Sequence, residues 1–502
     1  MQAIDYRSAL EQRNRRAILE ELAKAGGQNQ SLPLKGSVGL SQNTFGHQIN
    51  ILRMNNVISI EGDKIRLERK TPLCYIFNST KIPYAYLGLL GERKGRSESE
   101  TETALKLLAK ENLNFERVIV LTTEKCKTQW ENIPIPVEWK LIGEREIRRI
   151  ETIQSKVEPH LIDLAKNYIL VMDCTSLTKP ATIAYYKLAT KHSVPLIYVY
   201  EDKKELNWII SKEDLKKKLL PDEKPNKKGE TSREGDAKHI KFYQTAFKNE
   251  NWRRVLKELA TVGKPIGIGD LAEKAKMGKS TLSHILDIFE EKGIITSTRG
   301  ERLMYTMRKK DSRKEKGKHI RHTVELTHKS PLCYIFDSTN VDYAYLGLLG
   351  RREQRSESET ETALKLLAKE NFPKENSQSE KDQKHEIKVT VFETYKSIPE
   401  WENITPSNIN WHLLRDEEIT NVKTVEEKVE QVLKELIRNH ILVMDCTALN
   451  KPATIAYYKL AEKYMIPLIY VYEDEKELIW LISKEDIKRE LLPPTEKDER
   501  QN

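Results

Sequence analysis

The chain has 502 residues, of which 38% are hydrophobic and 32% charged, so it can bury several cores and should form three or four domains. No apolar run approaches the roughly 20 residues that a membrane helix needs, and the first residues form no hydrophobic signal segment, which predicts a cytoplasmic protein with no membrane partner. The formal charge of +9 is modest for this length, but Arg308 to Arg321 holds eight basic and two acidic residues, a cluster that favours nucleic acid or another anion unless it is a solvated linker.

Residues 1–70 predict a small helical module. A helix is expected from Arg16 to Ala25, a longer one from Ser41 to Asn55, and a wing around Glu61 to Asp63. This order resembles a winged helix-turn-helix, in which the longer helix enters the groove of double-stranded DNA. The side chains near its start that would contact DNA are Gln42, Asn43, Thr44 and His47.

Residues 71–221 alternate apolar runs with segments of helical periodicity, which is typical of a doubly wound α/β domain with a mainly parallel sheet. Ser97 and Glu100 have the spacing of a capping box at the start of its first long helix. The predicted strands are Leu73–Phe77, Val118–Thr122, Trp139–Ile142, Tyr168–Met172 and Leu196–Tyr200, and the predicted helices are Glu98–Glu111, Ile147–Lys166 and Ala181–Lys191.

After a linker at 222–238, residues 239–310 predict a second winged helix-turn-helix. Its helices are expected at Arg253–Thr261, Gly269–Lys276 and Ser280–Lys292, with two strands around Arg299 to Glu301. Helical spacing buries one face of the third helix and leaves its start to face DNA. The predicted DNA contacts there are Lys279, Ser280, Thr281 and His284. Modules of this kind also serve as protein-interaction spacers, and that alternative stays open.

A basic linker (311–328) leads to a second α/β domain (329–495) and a short tail (496–502), and this second domain repeats the first. Ser97–Asn112 is identical to Ser356–Asn371, and Lys179–Ala189 is identical to Lys451–Ala461. The middle of each copy diverges, and Lys374–Lys388 is a polar stretch that predicts an exposed insertion in the second copy. The chain is therefore a tandem duplication in which α/β domains alternate with helical modules.

The same polar turn follows the fourth predicted strand in both copies. Asp-Cys-Thr-Ser-Leu-Thr-Lys spans Asp173 to Lys179, and Asp-Cys-Thr-Ala-Leu-Asn-Lys spans Asp445 to Lys451. Polar groups at the carboxyl end of a parallel strand, beside a helix N-terminus, favour phosphate binding. We expect the lysines, the Thr175 and Thr447 hydroxyls and the backbone N–H groups of Lys179–Ala181 and Lys451–Ala453 to bind phosphate. The two aspartates would instead fix the loop.

Other reactive residue types predict no metal, cofactor or disulfide. His47 and His284 have no second ligand near them in sequence, and no Cys-x-x-Cys is present. Four cysteines fall at matching places in apolar runs, which predicts buried thiols. They are Cys74, Cys174, Cys333 and Cys446. The tyrosine pairs Tyr185–Tyr186 and Tyr457–Tyr458 could stack on a base, but core packing is the stronger expectation.

The duplicated turn resembles the hallmark of CARF domains, the CRISPR-associated Rossmann-like receptors for cyclic oligoadenylates, which is Asp/Asn-x-Ser/Thr-x-x-x-Lys/Arg after the fourth core strand. In that family a second polar element follows the first strand, and Arg96 and Arg355 would be further phosphate contacts. The ligand-binding residues that the resemblance implies are Asn78, Ser79, Thr80, Asp173, Thr175, Thr178 and Lys179 in the first copy, and Asp337, Ser338, Thr339, Asp445, Thr447, Asn450 and Lys451 in the second.

The resemblance implies a role in type III CRISPR antiviral defence, with a ring such as cyclic tetra-adenylate held between paired CARF domains. A ring of even length can be two-fold symmetric, so paired lobes suit it, within one chain or in a homodimer. The first hypothesis is a ligand-controlled DNA-binding regulator. The alternative is a metal-independent ring nuclease in which Ser79 with Lys179, and Ser338 with Lys451, promote attack by a ribose 2′-hydroxyl. An effector nuclease is disfavoured, since no histidine has an arginine five residues before it.

Overall fold

The computed structural model describes residues 4–92, 97–130, 132–200, 203–221, 241–298, 323–349, 358–369, 387–394, 409–472 and 475–493. It divides into two units, residues 1–227 and 228–502, and each unit is described separately. Each contains a three-stranded and a six-stranded sheet among its described residues. None of the helices described is both long and apolar enough to cross a membrane.

Unit 1 begins with a helical module and continues into an α/β domain. Its described strands are β1 Gln28–Gln30, β2 Ile58–Glu61, β3 Lys64–Leu67, β4 Tyr84–Leu89, β5 Phe115–Thr122, β6 Glu138–Leu141, β7 Ile169–Asp173, β8 Leu196–Tyr200 and β9 Glu205–Ile210. Its helices are Tyr6–Glu11, Arg13–Lys24, Ser31–Val38, Gln42–Met54, Leu73–Ile76, Glu100–Lys110, Glu124–Gln129, Ile150–Asn167, Lys179–His192 and Lys212–Leu219, with a 3₁₀ turn at Glu146–Arg148.

The module of unit 1 packs its helices on an antiparallel sheet of order β1-β3-β2. The Gln42–Met54 helix buries Phe45, Ile49 and Leu52, three or four residues apart, against this core. Gly62, at φ 64°, makes the tight turn between β2 and β3 at the place predicted for the wing. The two predicted helices lie within a few residues of their expected bounds.

The α/β sheet of unit 1 has the order β6-β5-β4-β7-β8-β9. All neighbours are parallel except β8 and β9. Numbered along the domain, this is the doubly wound order 3-2-1-4-5-6, so the direction of winding reverses between β4 and β7. The predicted Rossmann-like α/β fold is confirmed. Helices follow β4 and β7 directly, and their first turns lie at the carboxyl-terminal edge of the sheet.

Two sequence predictions for this domain are wrong, and one strand was not predicted. Leu73–Phe77 is not the first strand; Leu73–Ile76 is a short helix, buried in the core of the module, and β4 is the first strand. The capping box uses Ser99 and Glu102, two residues after the predicted pair. An antiparallel edge strand, β9, was not predicted. A run of five apolar residues does not distinguish a strand from a buried helix, which explains the first error.

Unit 2 repeats this plan. Its described strands are β10 Ile266–Gly267, β11 Ile295–Thr298, β12 Thr323–Leu326, β13 Tyr343–Leu348, β14 Lys388–Thr394, β15 Ile409–Leu414, β16 Ile441–Asp445, β17 Leu468–Tyr472 and β18 Glu477–Ile482. Its helices are 241–248, Glu250–Val262, Ile268–Lys274, Lys279–Glu291, Leu332–Ile335, Glu359–Lys369, Val422–Asn439, Lys451–Tyr464 and Lys484–Leu491, with a 3₁₀ turn at Glu418–Thr420.

The sheets of unit 2 have the orders β10-β12-β11 and β15-β14-β13-β16-β17-β18, the latter again 3-2-1-4-5-6. β12 pairs with β11 and β10, although it falls in the segment predicted as a basic linker (311–328). That linker prediction is therefore wrong for Thr323–Leu326. The predicted wing around Arg299 to Glu301, the basic cluster up to Arg321 and most of the predicted insertion lie outside the described residues.

Candidate functional site at the switch point of each sheet

In unit 1 the candidate site is the carboxyl-terminal edge of the sheet between β4 and β7. The loop after β7, residues 173–179, is called here the motif turn, and it leads into the Lys179–His192 helix. The loop after β4 approaches it closely, because a Cβ on Gly91 would lie only 3.6 Å from the Ser176 carbonyl oxygen. Ligands of open α/β sheets bind in the crevice at such a reversal of strand order.

A buried carboxylate organises the motif turn. Asp173 accepts a hydrogen bond from the Thr175 N–H at 2.8 Å, another from the Thr175 hydroxyl, and a third from the Tyr86 hydroxyl of β4. The Thr175 oxygen in turn accepts the N–H of Val199 in β8 at 2.9 Å. These bonds connect β4, β7 and β8, and they hold both Asp173 and Thr175 within the fold.

The electrostatics of this cluster follow from burial. Burial raises the pKa of Asp173 from 3.8 to about 6, against the hydrogen bonds from Thr175 and Tyr86, which favour its ionised form. Burial and the neighbouring Asp173 also raise the pKa of Tyr86 well above its usual value. The tyrosine therefore stays protonated and donates to the carboxylate. A buried carboxyl of this kind shapes the loop and would repel a phosphate.

Unit 2 builds the same cluster from the corresponding residues. Asp445 accepts the Thr447 N–H at 2.9 Å, together with the hydroxyls of Thr447 and Tyr345. The Thr447 oxygen accepts the Val471 N–H at 2.9 Å. Two motif turns, residues 173–179 and 445–451, therefore have one bonding pattern.

The helix after each motif turn begins with lysine and proline. Lys179 and Lys451 are half-buried at the first helical position, at the positive end of the helix dipole. Thr178 accepts the Ala181 N–H at 3.4 Å, and Asn450 accepts the corresponding N–H at 3.0 Å. The predicted set of three backbone phosphate donors is therefore wrong. Proline has no N–H, and the cap engages the N–H of the third helical residue.

The second predicted polar element, residues 78–80, lies at the opposite edge of the sheet. Asn78 accepts a hydrogen bond from Lys212, which begins the helix after β9. The end of β9 pairs with the start of β8, which places Lys212 at the amino-terminal edge. Ser79 and Lys179 are thus separated by the length of β7, on the order of 15 Å, and the structure does not bring this predicted catalytic pair together.

The same correction holds in unit 2. Asp337 pairs with Lys484 after β18, and the Ser338 hydroxyl donates to the carbonyl of Thr261 in the helical module at 3.4 Å. Ser338 and Lys451 therefore also lie at opposite edges of their sheet. The triplets 78–80 and 337–339 lie where the helical module meets the α/β domain, so they are not part of the candidate site.

The sequence missed residues that complete the site. Tyr86 and Tyr345 bind the two aspartates, and Ser99 and Glu102 start the helix that follows β4 with a capping box. For Ser99 and Glu102, the identity of Ser97–Asn112 with Ser356–Asn371 was the available signal. Arg96 and Arg355, the predicted secondary phosphate contacts, lie outside the described residues.

The predicted DNA-binding helices expose the expected faces. Gln42, Asn43 and His47 are exposed and Thr44 is half-buried on the Gln42–Met54 helix. On the Lys279–Glu291 helix, the exposed side chains include Lys279, Ser280, Thr281 and His284. Its buried face consists of Leu282, Ile285, Leu286 and Phe289. The amphipathic division is as predicted, and DNA contact stays a prediction.

Other predicted chemistry is confined to the core. Tyr185, Tyr457 and Tyr458 are buried, and the hydroxyls of the first two donate to the carbonyls of Gly88 and Gly347. All five cysteines are buried free thiols. Within the described part of the chain, no group of three or more histidine, cysteine or acidic side chains could hold a metal ion.

Comparison with known proteins gives weak likenesses only. No protein-family model and no curated protein sequence matches the chain. Among solved structures, Can2 from Sulfobacillus thermosulfidooxidans in complex with cyclic tetra-adenylate matches 42% of this chain and 66% of its own, at 18% identity and a TM-score of 0.19. Protein VC1899 from Vibrio cholerae matches 70% of this chain and 98% of its own, at 9% identity and a TM-score of 0.20.

A third structure, Enterococcus italicus Csm6 bound to cyclic hexa-2′-fluoro-hexa-dAMP, matches 42% of this chain and 56% of its own, at 10% identity and a TM-score of 0.21. The chain thus spans just under two thirds of the Can2 chain and little more than half of the Csm6 chain. TM-scores of 0.19 to 0.21 are too low to assign a function.

Proposed function

We propose that this protein is a DNA-binding regulator of type III CRISPR antiviral defence that senses cyclic oligoadenylate. We further propose that its two α/β domains are CARF domains. The observation that carries the proposal is the duplicated motif turn. Asp-x-Thr-x-x-x-Lys lies twice at the switch point of a sheet of order 3-2-1-4-5-6, each time ahead of a helix whose first residue is the lysine.

The ligand is a ring with regularly spaced phosphates. Each half-site, defined as one motif turn with the first turn of the following helix, offers a lysine and the positive end of a helix dipole to an anion. A ring of four adenylates can be two-fold symmetric, so two half-sites of the same construction suit opposite phosphates of one ring. Asp173 and Thr175 support this role indirectly, since they hold the turn in shape.

The output is a change in DNA binding by the exposed faces of the Gln42–Met54 and Lys279–Glu291 helices. Within unit 1 a direct physical connection leads from the half-site to the module. The Lys179–His192 helix ends at His192, whose Nδ1 is hydrogen-bonded to the buried Arg69 at 2.8 Å. Arg69 follows β3 of the module by two residues. A ligand that favours one position of this helix would thereby bias the module between two states.

Calorimetric titration with cyclic tetra-adenylate tests the receptor. Each charge-assisted hydrogen bond is worth about 1.5–3 kcal/mol, so Lys179→Ala with Lys451→Ala should weaken binding at least about 100-fold. The matched control is Lys191→Ala with Lys463→Ala, at the other ends of the same two helices, where each lysine pairs with a glutamate. Equal affinity of both double variants would contradict the proposal.

The same mixtures distinguish a receptor from a ring nuclease. We expect the ring to stay intact, because the predicted catalytic pairs Ser79 with Lys179 and Ser338 with Lys451 lie at opposite edges of their sheets. Chromatography of the ligand after incubation is the measurement. Linear oligoadenylates formed by the wild type and not by the double lysine variant would establish the nuclease instead.

DNA binding is tested on the Lys279–Glu291 helix. Lys279→Ala removes an exposed charge at its start and should lower the slope of log affinity against log salt by about 1 for a duplex DNA fragment. The matched control is Lys292→Ala, just beyond the other end of the helix, where the lysine pairs with Glu291 at 2.8 Å. An unchanged salt slope and affinity in the first variant would remove this helix from the DNA interface.

A further inference from the structure

A 3₁₀ turn borders the half-site of unit 1. It spans Glu146–Arg148, follows β6 at the carboxyl-terminal edge, and contacts the Lys179–His192 helix. The hydroxyl of Thr178, the residue before Lys179, donates to the Ile147 carbonyl at 3.2 Å. Glu146 fixes the turn, since its carboxylate accepts the Gly143 N–H at 2.6 Å and pairs with Lys156 at 2.7 Å.

Unit 2 builds the corresponding turn on the same frame. Glu418 accepts the Arg415 N–H at 2.8 Å and pairs with Lys428 at 2.6 Å. The turn Glu418–Thr420 contacts the Lys451–Tyr464 helix. In both units an 18-residue helix follows. Residues 143–149 and 415–421 therefore occupy equivalent positions, and a difference between their side chains is a difference between the two half-sites.

The two turns differ in charge. Residues 143–149 read Gly-Glu-Arg-Glu-Ile-Arg-Arg, where three arginines and two glutamates give +1. Residues 415–421 read Arg-Asp-Glu-Glu-Ile-Thr-Asn, where one arginine and three acids give −2. Arg145 and Arg149 are exposed and Arg148 is half-buried. Unit 2 has Glu417, Thr420 and Asn421 at these three positions.

We infer that the two half-sites bind the ring unequally: Arg145, Arg148 and Arg149 add phosphate contacts beside Lys179, while the acidic turn beside Lys451 adds none. The inference rests on the proposed function and adds the residues that set its affinity. Arginine binds phosphate through two parallel N–H donors, and the turn that carries these arginines contacts the start of the Lys179–His192 helix through the bond between Thr178 and Ile147. At the equivalent positions of unit 2, Glu417 repels an anion, and Thr420 and Asn421 carry no charge.

The test exchanges the two turns. Arg145→Glu, Arg148→Thr and Arg149→Asn give unit 1 the side chains of unit 2 and leave Gly143, Glu146 and Lys156 in place. Each new residue already occupies the equivalent position of the other unit, so the fold should be kept, and thermal unfolding checks this. Loss of these contacts should weaken binding of cyclic tetra-adenylate at least about tenfold, since one phosphate contact is worth about 1.5 kcal/mol or more.

The reverse exchange and a control complete the experiment. Glu417→Arg, Thr420→Arg and Asn421→Arg in unit 2 should tighten binding. The exchange in unit 1 changes the net charge by −4, because Arg145→Glu contributes −2 and the other two substitutions −1 each. The control, Lys110→Glu with Lys166→Thr and Lys217→Asn, makes the same change at exposed sites on the amino-terminal edge of the same domain. It should leave the affinity within about twofold, because exposed charges farther apart than a Debye length are screened.

The outcomes distinguish the inference of unequal half-sites from the proposed receptor function. If the wild type binds the ring and the unit 1 exchange changes the affinity no more than the control does, the inference is wrong and the receptor stands. Equal weakening by the exchange and by the control would also overturn it, because net charge alone would then explain the effect. A wild type that binds no ring would instead contradict the proposed function.

Discussion

The two helices that carry the candidate lysines begin in the same way and end differently. At their starts, Asp173 and Asp445 make the same bonds, with Thr N–H distances of 2.8 and 2.9 Å. At the end of the first helix, His192 bonds both Glu158 and Arg69. At the end of the second, Tyr464 donates to Glu430, the equivalent glutamate.

This difference shows which end of the helix is constrained. The start is organised by a buried aspartate, which makes the same bonds to threonine and tyrosine in both copies. At the end of the helix, the equivalent glutamates Glu158 and Glu430 are hydrogen-bonded by different residues, His192 in unit 1 and Tyr464 in unit 2. Either residue can satisfy the glutamate. The predictions below test whether substitutions at the two helix starts change the free energy of unfolding equally. They also test whether the two helix ends differ in their contribution to it.

The largest effect is expected at the matched starts. Asp173→Ala or Asp445→Ala leaves a buried tyrosine hydroxyl and a threonine N–H without their acceptor, at a cost of about 3–5 kcal/mol in the unit that carries the change. Denaturant unfolding of each variant measures it. A loss of unfolding free energy below about 1 kcal/mol in either unit would contradict the equivalence of the two helix starts.

The pH dependence of Asp173 comes next. Its pKa in the folded protein, about 6, lies above its ordinary 3.8, so the protonated acid contributes stability that is fully present below pH 3.8 and is lost as the pH rises through 6. The difference corresponds to about 3 kcal/mol. Unfolding free energies between pH 4 and 7 should show this slope in the wild type, and Asp173→Asn should remove it. An unchanged slope in that variant would contradict the assignment.

A smaller, again symmetric effect is expected from the glycines beside the cluster. A Cβ on Gly88 would lie 2.7 Å from the Tyr86 ring, and one on Gly347 would lie 2.8 Å from the Tyr345 ring. Gly88→Ala and Gly347→Ala should each destabilise by about 1–3 kcal/mol, because the rings must move off their aspartates. Thermal unfolding of the two variants checks whether they match, and Gly269→Ala, where a Cβ meets open space, is the control.

The smallest effect sharpens the comparison at the unequal ends. Burial lowers the pKa of His192 below its ordinary 6.5, so the neutral histidine contributes stability that is present above pH 6.5 and is lost as the pH falls below it. His192→Tyr, which installs the residue of the second copy, should remove that part of the acid sensitivity. Unfolding at pH 5 and pH 7 measures it, and equal acid sensitivity of variant and wild type would show that the two ends do not differ in this respect.

The sequence predicted the part of the fold that repeats. The motif turns, the helices after them and the Rossmann-like class could be predicted, because an apolar strand, a polar turn and a proline at the helix start specify them locally. The capping box was misplaced by two residues. Ser97-Glu-Ser-Glu-Thr-Glu102 contains two Ser-x-x-Glu spacings, and only the burial of Ser99 selects one.

Tertiary relations could not be predicted in the same way. Leu73–Ile76 is buried against the helical module, and the five-residue apolar run Leu73–Phe77 is equally compatible with a strand, so β4 was missed. Because of that error, residues 78–80 were predicted to follow the first strand, at the carboxyl-terminal edge of the sheet, whereas they lie at the amino-terminal edge. The partner of Asp173, Tyr86, is 87 residues away in the chain, and no local pattern indicates such a bond.

The most direct test of the central claim is a calorimetric titration of the wild type, Lys179→Ala and Lys451→Ala with cyclic tetra-adenylate. Two half-sites that share one ring predict one ring per chain, and each single substitution should weaken that one binding event about tenfold or more. Two rings per chain, or a single variant that keeps one ring at wild-type affinity, would contradict the account.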